Sequence, residues 1–148
     1  MPAFRLQNAF AISWSEGWYA ESWGFTEQQR FCSYYEHGCV SYYWQSNKIT
    51  KARDQDRLAG VGWIYDLKAA SSGAKGNAYV YLLGNNKSLI KSTTYSAFKV
   101  WYGHDKWNSN ISVNISAPIG AGIAAGVSFG GEEYIQDSTS ILNSSLKW

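Results

Sequence analysis

The chain has 148 residues, of which 45% are hydrophobic and 17% aromatic, and its formal net charge is +2. This length fits one ordinary domain, and the hydrophobic content excludes a disordered chain. The chain has 13 basic and 11 acidic residues, and the basic residues form no dense cluster. The sequence therefore lacks the basic patch that is typical of a nucleic-acid-binding protein. We expect a single domain over residues 1–148 that binds no nucleic acid.

The start of the chain lacks the pattern of an export signal. Pro2–Trp14 contains Arg5, Gln7 and Asn8 in place of a long apolar stretch, so we interpret the sequence as a mature form. An apolar run of roughly 18 residues is also missing from the sequence, and we expect no membrane-spanning helix.

Two cysteines, Cys32 and Cys39, lie close together in the sequence. One such pair is typical of a single disulfide in an exported protein, so we expect a secreted, extracellular chain. A zinc site needs more ligands than His37 can add, and we therefore expect no metal. The turn signal Glu36-His37-Gly38 precedes the β-type run Cys39–Trp44. This order predicts a disulfide-bonded hairpin in which the two cysteines face each other.

Large aromatic side chains are frequent in the first half of the chain. The adjacent pairs Tyr34-Tyr35 and Tyr42-Tyr43 lie on predicted strands, where neighbouring residues point to opposite faces. Some of these rings must therefore be exposed, where they can stack on sugars or lie at a lipid interface. The candidate ligand-binding residues, for an envelope component or a glycan, are Trp18, Trp23, Tyr34, Tyr35, Tyr42, Tyr43 and Trp44.

The segments that follow predict short strands between turns. Thr50–Leu58 has the one helical pattern, with Thr50 as its cap. A Gly/Ser loop is predicted at Ala70–Asn77, and strands are predicted at Val61–Leu67, Ala78–Leu83 and Tyr95–Tyr102. With helix below roughly a tenth of the residues, the fold class is all-β. We expect a single-domain β-sandwich, or a small barrel, with one long amphipathic hairpin.

That hairpin is predicted from an alternating run. Every odd-numbered residue from Ile111 to Phe129 is apolar, and the even positions are mostly Ser, Asn and Gly. The run is several times longer than a typical strand, so we predict a turn at Gly120–Gly122. A turn there pairs Val113 with Phe129, Ile115 with Val127, Ala117 with Ala125, and Ile119 with Ile123.

One apolar face and one face of small polar groups are typical of a water-filled β-barrel wall and also of a strand on a sandwich core. In a folded monomer we expect the odd face to be buried. The candidate membrane-hairpin residues are Ile111, Val113, Ile115, Ile119, Ile123, Val127 and Phe129.

Catalytic motifs are poorly supported. Gly126-Val127-Ser128-Phe129-Gly130 matches the nucleophile elbow G-x-S-x-G, but it lies in an alternating β pattern and not at a strand-to-helix turn. Asp54 and Asp56 could contact a metal, but they lie beside Arg53 and Arg57, and this arrangement favours a self-neutralised surface turn. His104 and Asp105 are neighbours and point to opposite faces of a strand. We expect neither an enzyme nor a cofactor.

Three segments, Ser33–Gly38 (SYYEHG), Arg57–Trp63 (RLAGVGW) and Asn77–Tyr81 (NAYVY), follow one another in an order that resembles the lactococcin 972-type bacteriocins. The resemblance implies a small secreted β-sandwich from a family that acts on the cell-wall precursor at the division septum. Ala125–Gly130 and Tyr134–Gln136 are similar to the return strand of the stem hairpin in leukocidin-type pore-forming toxins.

Both resemblances imply a secreted, toxin-like or bacteriocin-like protein that engages a bacterial cell envelope or lipid membrane. Its partner would be an envelope component or a bilayer, and pore formation by the 111–129 hairpin would involve an oligomer on the membrane. Two alternatives stay open: a carbohydrate-binding module or lectin, and an extracellular structural β domain.

Overall fold

A computed structural model describes residues 7–68, 70–84, 90, 95–104, 112–115, 117–119, 127–129 and 133–142. This part of the chain is all-β, as predicted, and contains no helix. The strands are β1 (Gln7–Trp14), β2 (Trp18–Tyr35), β3 (Gly38–Ile49), β4 (Asp54–Asp56), β5 (Gly60–Asp66), β6 (Gly73–Gly84), β7 (Tyr95–His104), β8 (Val113–Ile115), β9 (Val127–Phe129) and β10 (Glu133–Leu142).

Two antiparallel sheets form a sandwich. One sheet has the strand order β10-β7-β1-β5-β4, and the other has the order β3-β2-β6. β8 and β9 pair with each other as a separate two-stranded ladder. The sheets do not close on themselves, so the sandwich is confirmed and the small barrel is not.

An aromatic core lies between the two sheets. Phe25 of β2 stacks on Trp63 of β5, with ring centroids 5.3 Å apart, and on Phe10 of β1, at 5.8 Å. Stacked rings of this kind add interaction energy to the burial of their area. The buried members of this core are Trp14, Trp18, Ala20, Phe25, Val61, Trp63, Tyr65 and Ile90.

The helix predicted over Thr50–Leu58 is wrong, because this segment forms β4 and a turn. Asp54 and Asp56 accept hydrogen bonds from the backbone N–H groups of Gln55 and Leu58, both at 3.0 Å. Short acidic side chains that bind nearby backbone in this way compete with helix formation. The predicted loop at Ala70–Asn77 is also too long, because β6 begins at Gly73 and pairs with the long strand β2.

The predicted 111–129 hairpin has the predicted register where the structure describes it. Val113 pairs with Phe129, and Ile115 pairs with Val127. Ile111, Ile123, Ala125 and the predicted turn Gly120–Gly122 lie outside the described residues, as does their pairing with Ala117 and Ile119. Ile119 itself forms a parallel bridge with Ser15, and its N–H donates to the carbonyl of Trp14 at 2.9 Å.

β8 covers the outer face of the five-stranded sheet. Val113 is only 4% exposed and packs with Ala9, Ala11 and Trp101 in a second buried cluster. Ser112 and Asn114, at even positions, are exposed. Within β8, Val113 is therefore buried and Ile115 is half-buried, the side that the sequence predicted to face the body.

Candidate functional site

The β2–β3 hairpin extends beyond the rest of its sheet. The last residue of β2 that pairs with β6 is Arg30, opposite Gly73, whereas pairing with β3 continues to Tyr35. We call residues 31–43 the hairpin tip. Every residue from 33 to 43 is exposed, and Tyr34 reaches 77%. The hairpin tip therefore projects from the sandwich.

Cys32 and Cys39 form the predicted disulfide in this tip, with their Cα atoms 5.7 Å apart. The expectation that they face each other directly is wrong, because Cys32 lies opposite Tyr42 and Cys39 opposite Tyr34. A register irregularity next to Tyr34 offsets the strands, so the bond links diagonal positions. Glu36 has φ 54°, the left-handed conformation that the tight turn requires.

The outer face of the three-stranded sheet carries a group of exposed aromatic side chains. Phe25, Glu27 and Gln29 of β2 are buried between the sheets, so the residues that alternate with them point outward. Cross-strand neighbours of these outward residues share their face. We call this surface the aromatic face, and its exposed apolar members are Tyr19, Tyr42, Trp44, Tyr79, Tyr81 and Leu83.

A glycine on β2 positions the two tyrosines of β6. Gly24 lies opposite Tyr79, and the ring of Tyr79 occupies the space in which a Cβ at position 24 would stand. A glycine in a strand allows this close approach of a cross-strand ring. Tyr81 lies beside Tyr79, with ring centroids 5.2 Å apart. The two rings therefore form a continuous aromatic surface across β6 and β2.

Basic side chains lie among these rings. The guanidinium carbon of Arg30 is 4.4 Å from the ring centroid of Tyr42, and Lys75 Nζ is 4.2 Å from that of Trp44. Cation–π contacts of this kind hold each cation over a ring while part of it faces water. β3 and β6 contain no Asp or Glu along their lengths. The charged side chains that β3 and β6 contribute to the aromatic face are therefore all basic.

Arg57 binds the backbone carbonyls at the bulge in β2, which lies between Ala20 and Ser22. Its guanidinium donates to the carbonyls of Ala20, at 2.7 Å, and Glu21, at 3.0 Å, and lies 4.7 Å from the ring centroid of Trp23. Carbonyls that the ladder leaves unpaired at the bulge thus find a charged donor. Arg57 therefore stabilises this bulge. At the bulge, the positions of β2 that face the core change from even-numbered to odd-numbered residues.

The structure places the predicted ligand-binding aromatics in four different environments. Tyr42 and Trp44 lie on the aromatic face, and Tyr34 and Tyr35 lie at the hairpin tip. Tyr43 points to the other face of β3, where its ring lies 5.9 Å from that of Phe31.

Trp18 and Trp23 belong to the core. Trp18 is 4% exposed, and its indole N–H donates to Ser96 Oγ at 2.7 Å, so its assignment to a ligand-binding surface is wrong. Trp23 is half-buried and packs against the main core. Both lie at the end of β2 that the five-stranded sheet covers, where a large ring stabilises most by burial.

Sequence reasoning missed the half of the aromatic face that β6 supplies. Tyr79, Tyr81 and Leu83 occupy alternate positions of a predicted strand, and their intervening neighbours Val80 and Leu82 pack on the core. This alternation in the sequence could have indicated that Tyr79, Tyr81 and Leu83 share one exposed face of the strand. Arg30 and Lys75 were missed because their contacts with Tyr42 and Trp44 depend on strand register.

Other candidate chemistry finds little support in the described part of the chain. No group of three or more His, Cys, Asp or Glu residues there could hold a metal ion. The serine of the G-x-S-x-G motif falls on β9, a strand paired with β8. Asp105 lies outside the described residues. No helix with the length and apolar character of a membrane span was found in the described ranges.

We find no match between this chain and any protein-family model, any curated protein or any solved structure. The functional argument therefore rests on the chain's own residues.

Proposed function

We propose that this protein is a secreted, toxin-like or bacteriocin-like protein that engages a bacterial cell envelope, and that it docks on the anionic bilayer through the aromatic face. The observation that carries this proposal is the combination of exposed Tyr and Trp rings with Arg30 and Lys75 on a face whose outer strands lack acidic residues. The disulfide supports export, because such bonds persist in oxidising compartments.

Charge and ring chemistry both favour an anionic lipid surface. Tyr and Trp rings partition to the headgroup level of a bilayer, where one end of the ring is apolar and the other is wet. Each Lys or Arg near an anionic surface adds about 1 kcal/mol of attraction, which salt screens. The hairpin tip adds exposed Tyr34, Tyr35 and Val40 at one end of the same sheet.

Vesicle sedimentation tests this docking surface. We expect wild-type protein to bind vesicles that contain phosphatidylglycerol, and to bind pure phosphatidylcholine vesicles much more weakly. The double variant Tyr42→Ala/Trp44→Ala should lose about tenfold or more in affinity, because two rings and their cation partners leave the interface. Added salt should weaken vesicle binding of both proteins, because it screens the attraction between the basic side chains and the anionic surface.

Tyr95→Ala is the matched control. Tyr95 is an exposed tyrosine on β7, in the other sheet, and its loss should leave vesicle binding unchanged. Equal binding by wild type and Tyr42→Ala/Trp44→Ala would contradict the docking surface. Binding to both vesicle types alike would contradict the role of charge.

The proposal includes a second step, in which the 111–129 hairpin enters the bilayer as a pore-forming segment. Its support is the placement of β8 and β9, which pair with each other and belong to neither sheet. β8 is held to the body by the packing of Val113 and by the hydrogen bond from Ile115 N–H to Asp54 Oδ2, at 2.7 Å. Release would also break the hydrogen bond from Ile119 N–H to the carbonyl of Trp14.

A further inference from the structure

The inner face of β2 changes from apolar to polar where it leaves the main core. Phe25 is part of that core, but the next two inward side chains are Glu27, 4% exposed, and Gln29, 2% exposed. Phe31 follows and is apolar again. Buried polar side chains in the middle of a core-facing row are costly unless they are satisfied, so this interruption needs a reason.

Gln29 uses its amide to hold the two sheets together and to orient Glu27. Its Oε1 accepts from the backbone N–H of Lys68 at 2.9 Å, and its Nε2 donates to the carbonyl of Asp66 at 3.0 Å. The same Nε2 donates to Glu27 Oε2, also at 3.0 Å. Glu27 makes no ion pair with the described residues. Gln29 is thus a positioning residue, and it leaves Glu27 with acceptor capacity to spare.

A cleft of about 460 Å³ opens at this point, within the usual range of small-ligand sites. We call it the polar cleft, and its lining residues are Glu27, Gln29, Phe31, Gln45, Ser46, Asn47 and Lys68. Gln45 and Asn47 lie on β3 opposite Gln29 and Glu27. Their side-chain amides make no hydrogen bond within the described part of the chain.

The polar cleft has an aromatic wall next to these polar groups. Phe31 lines it, with the Tyr43 ring 5.9 Å away and Lys68 Nζ 5.7 Å from the Phe31 ring centroid. The cleft therefore combines a carboxylate, two amides, an ammonium group and an aromatic surface. It lies on the opposite face of the sheet from the aromatic face.

We propose that the polar cleft binds a neutral saccharide. Sugar hydroxyls both donate and accept, so they can donate to Glu27, exchange hydrogen bonds with Gln45 and Asn47, and accept from Lys68. The C–H face of a sugar ring fits the Phe31 wall. An apolar ligand would leave the buried carboxylate unsatisfied, and an anionic ligand would be repelled by it. This inference does not depend on bilayer docking.

A glycan array of neutral oligosaccharides, followed by calorimetric titration with the strongest binder, tests the proposal. Glu27→Gln should weaken binding by about tenfold or more, because a charged acceptor is lost at constant shape. Asn47→Ala should also weaken it. Asn77→Ala is the control, because Asn77 is an exposed amide on the outer face of β6 and should bind as wild type does.

Two further measurements separate a loss of saccharide binding from misfolding and from a loss of vesicle binding. Asn47 is exposed, so Asn47→Ala tests the cleft even where the buried Glu27→Gln variant fails to fold. In wild-type protein, amide chemical shifts of Gln45, Asn47 and Lys68 should move on titration, whereas vesicle sedimentation of both cleft variants should stay unchanged. The absence of any neutral binder, full binding by Asn47→Ala, or loss of binding in Tyr42→Ala/Trp44→Ala would overturn the proposal.

Discussion

At the scale of single residues, Tyr65 shows how the core constrains a titratable group. Burial raises the pKa of Tyr65 from 10.0 to about 12, and the nearby Tyr102 and Glu27 add to the rise. The hydrogen bond from Asn8 Nδ2 to the Tyr65 hydroxyl, at 3.3 Å, acts in the opposite direction. The neutral phenol is therefore the form that the folded state accommodates.

This pKa predicts a loss of stability at alkaline pH. A group whose pKa is raised on folding contributes its full stabilisation below the unfolded value, 10.0, and loses it as pH rises towards about 12. The loss amounts to roughly 2–3 kcal/mol in the free energy of unfolding. Urea unfolding between about pH 9 and about pH 12 should show a steeper decline of the free energy of unfolding for wild type than for Tyr65→Phe.

Tyr65→Phe also loses the hydrogen bond from Asn8, so its stability at neutral pH is lower by about 1 kcal/mol. The informative quantity is therefore the dependence on pH and not the absolute value. Parallel curves for the two proteins would show that Tyr65 does not carry the alkaline transition.

At the scale of elements, the contact between β8 and β5 depends on a glycine. A Cβ built at Gly62 would collide with Cγ1 of Val113 and lie 3.3 Å from the Cβ of Ala11. Gly62 has no side chain because β8 occupies that space.

Gly62→Ala should therefore destabilise the protein by about 1–3 kcal/mol through overpacking. Val113→Ala should cost about 1–2 kcal/mol through lost burial and an unfilled space. The double variant should be more stable than the sum of the two losses predicts, because the shorter side chain at position 113 makes room for the new methyl group. Thermal unfolding of all four proteins measures this coupling, and strictly additive losses would place β8 away from Gly62.

The sequence predicted the register of β8 and β9 because residue parity alone decides it. Two apolar rows can share a face only if the loop between them has an odd length, and Val113 and Phe129 then pair. The same reasoning fails for β2, where the bulge between Ala20 and Ser22 changes which positions face inward. Even-numbered Trp18 and odd-numbered Phe25 are both buried. Residue parity therefore does not predict which side chains face the core on the two sides of the bulge.

At the scale of the whole molecule, the all-β class was predictable and the arrangement of strands was not. The absence of helical periodicity is a local property of the sequence. The position of β1 between β5 and β7 joins segments about fifty or more residues apart, and no local pattern encodes that choice. The same holds for the candidate site. The aromatic residues of β3 could be predicted from the sequence, but their partners on β6 and the polar cleft depend on long-range strand pairing.

The proposed release of the 111–129 hairpin from the body would involve the whole molecule, and a cross-link tests it. A Cβ at position 62 would lie 3.4 Å from the Cβ of Val113, near the short end of the disulfide range. Oxidised Gly62→Cys/Val113→Cys should bind phosphatidylglycerol vesicles as wild type does but release little entrapped dye. Reductant should restore release.

Wild-type protein treated with the same reductant is the control, because its native disulfide is then also reduced. Circular dichroism checks that the cross-linked protein is folded. If the cross-linked, folded protein releases dye as fast as wild type, insertion of the hairpin is wrong and envelope binding without a pore is the better interpretation.

The location of the Cys32–Cys39 bond has a consequence for how the protein matures. Both cysteines lie in the hairpin tip, outside the buried clusters, and Cys39 is exposed. The sandwich can therefore assemble while both thiols are still reduced, and an oxidant can reach them afterwards without unfolding anything. Folding and oxidation therefore need no fixed order, and the disulfide can form on the already folded sandwich.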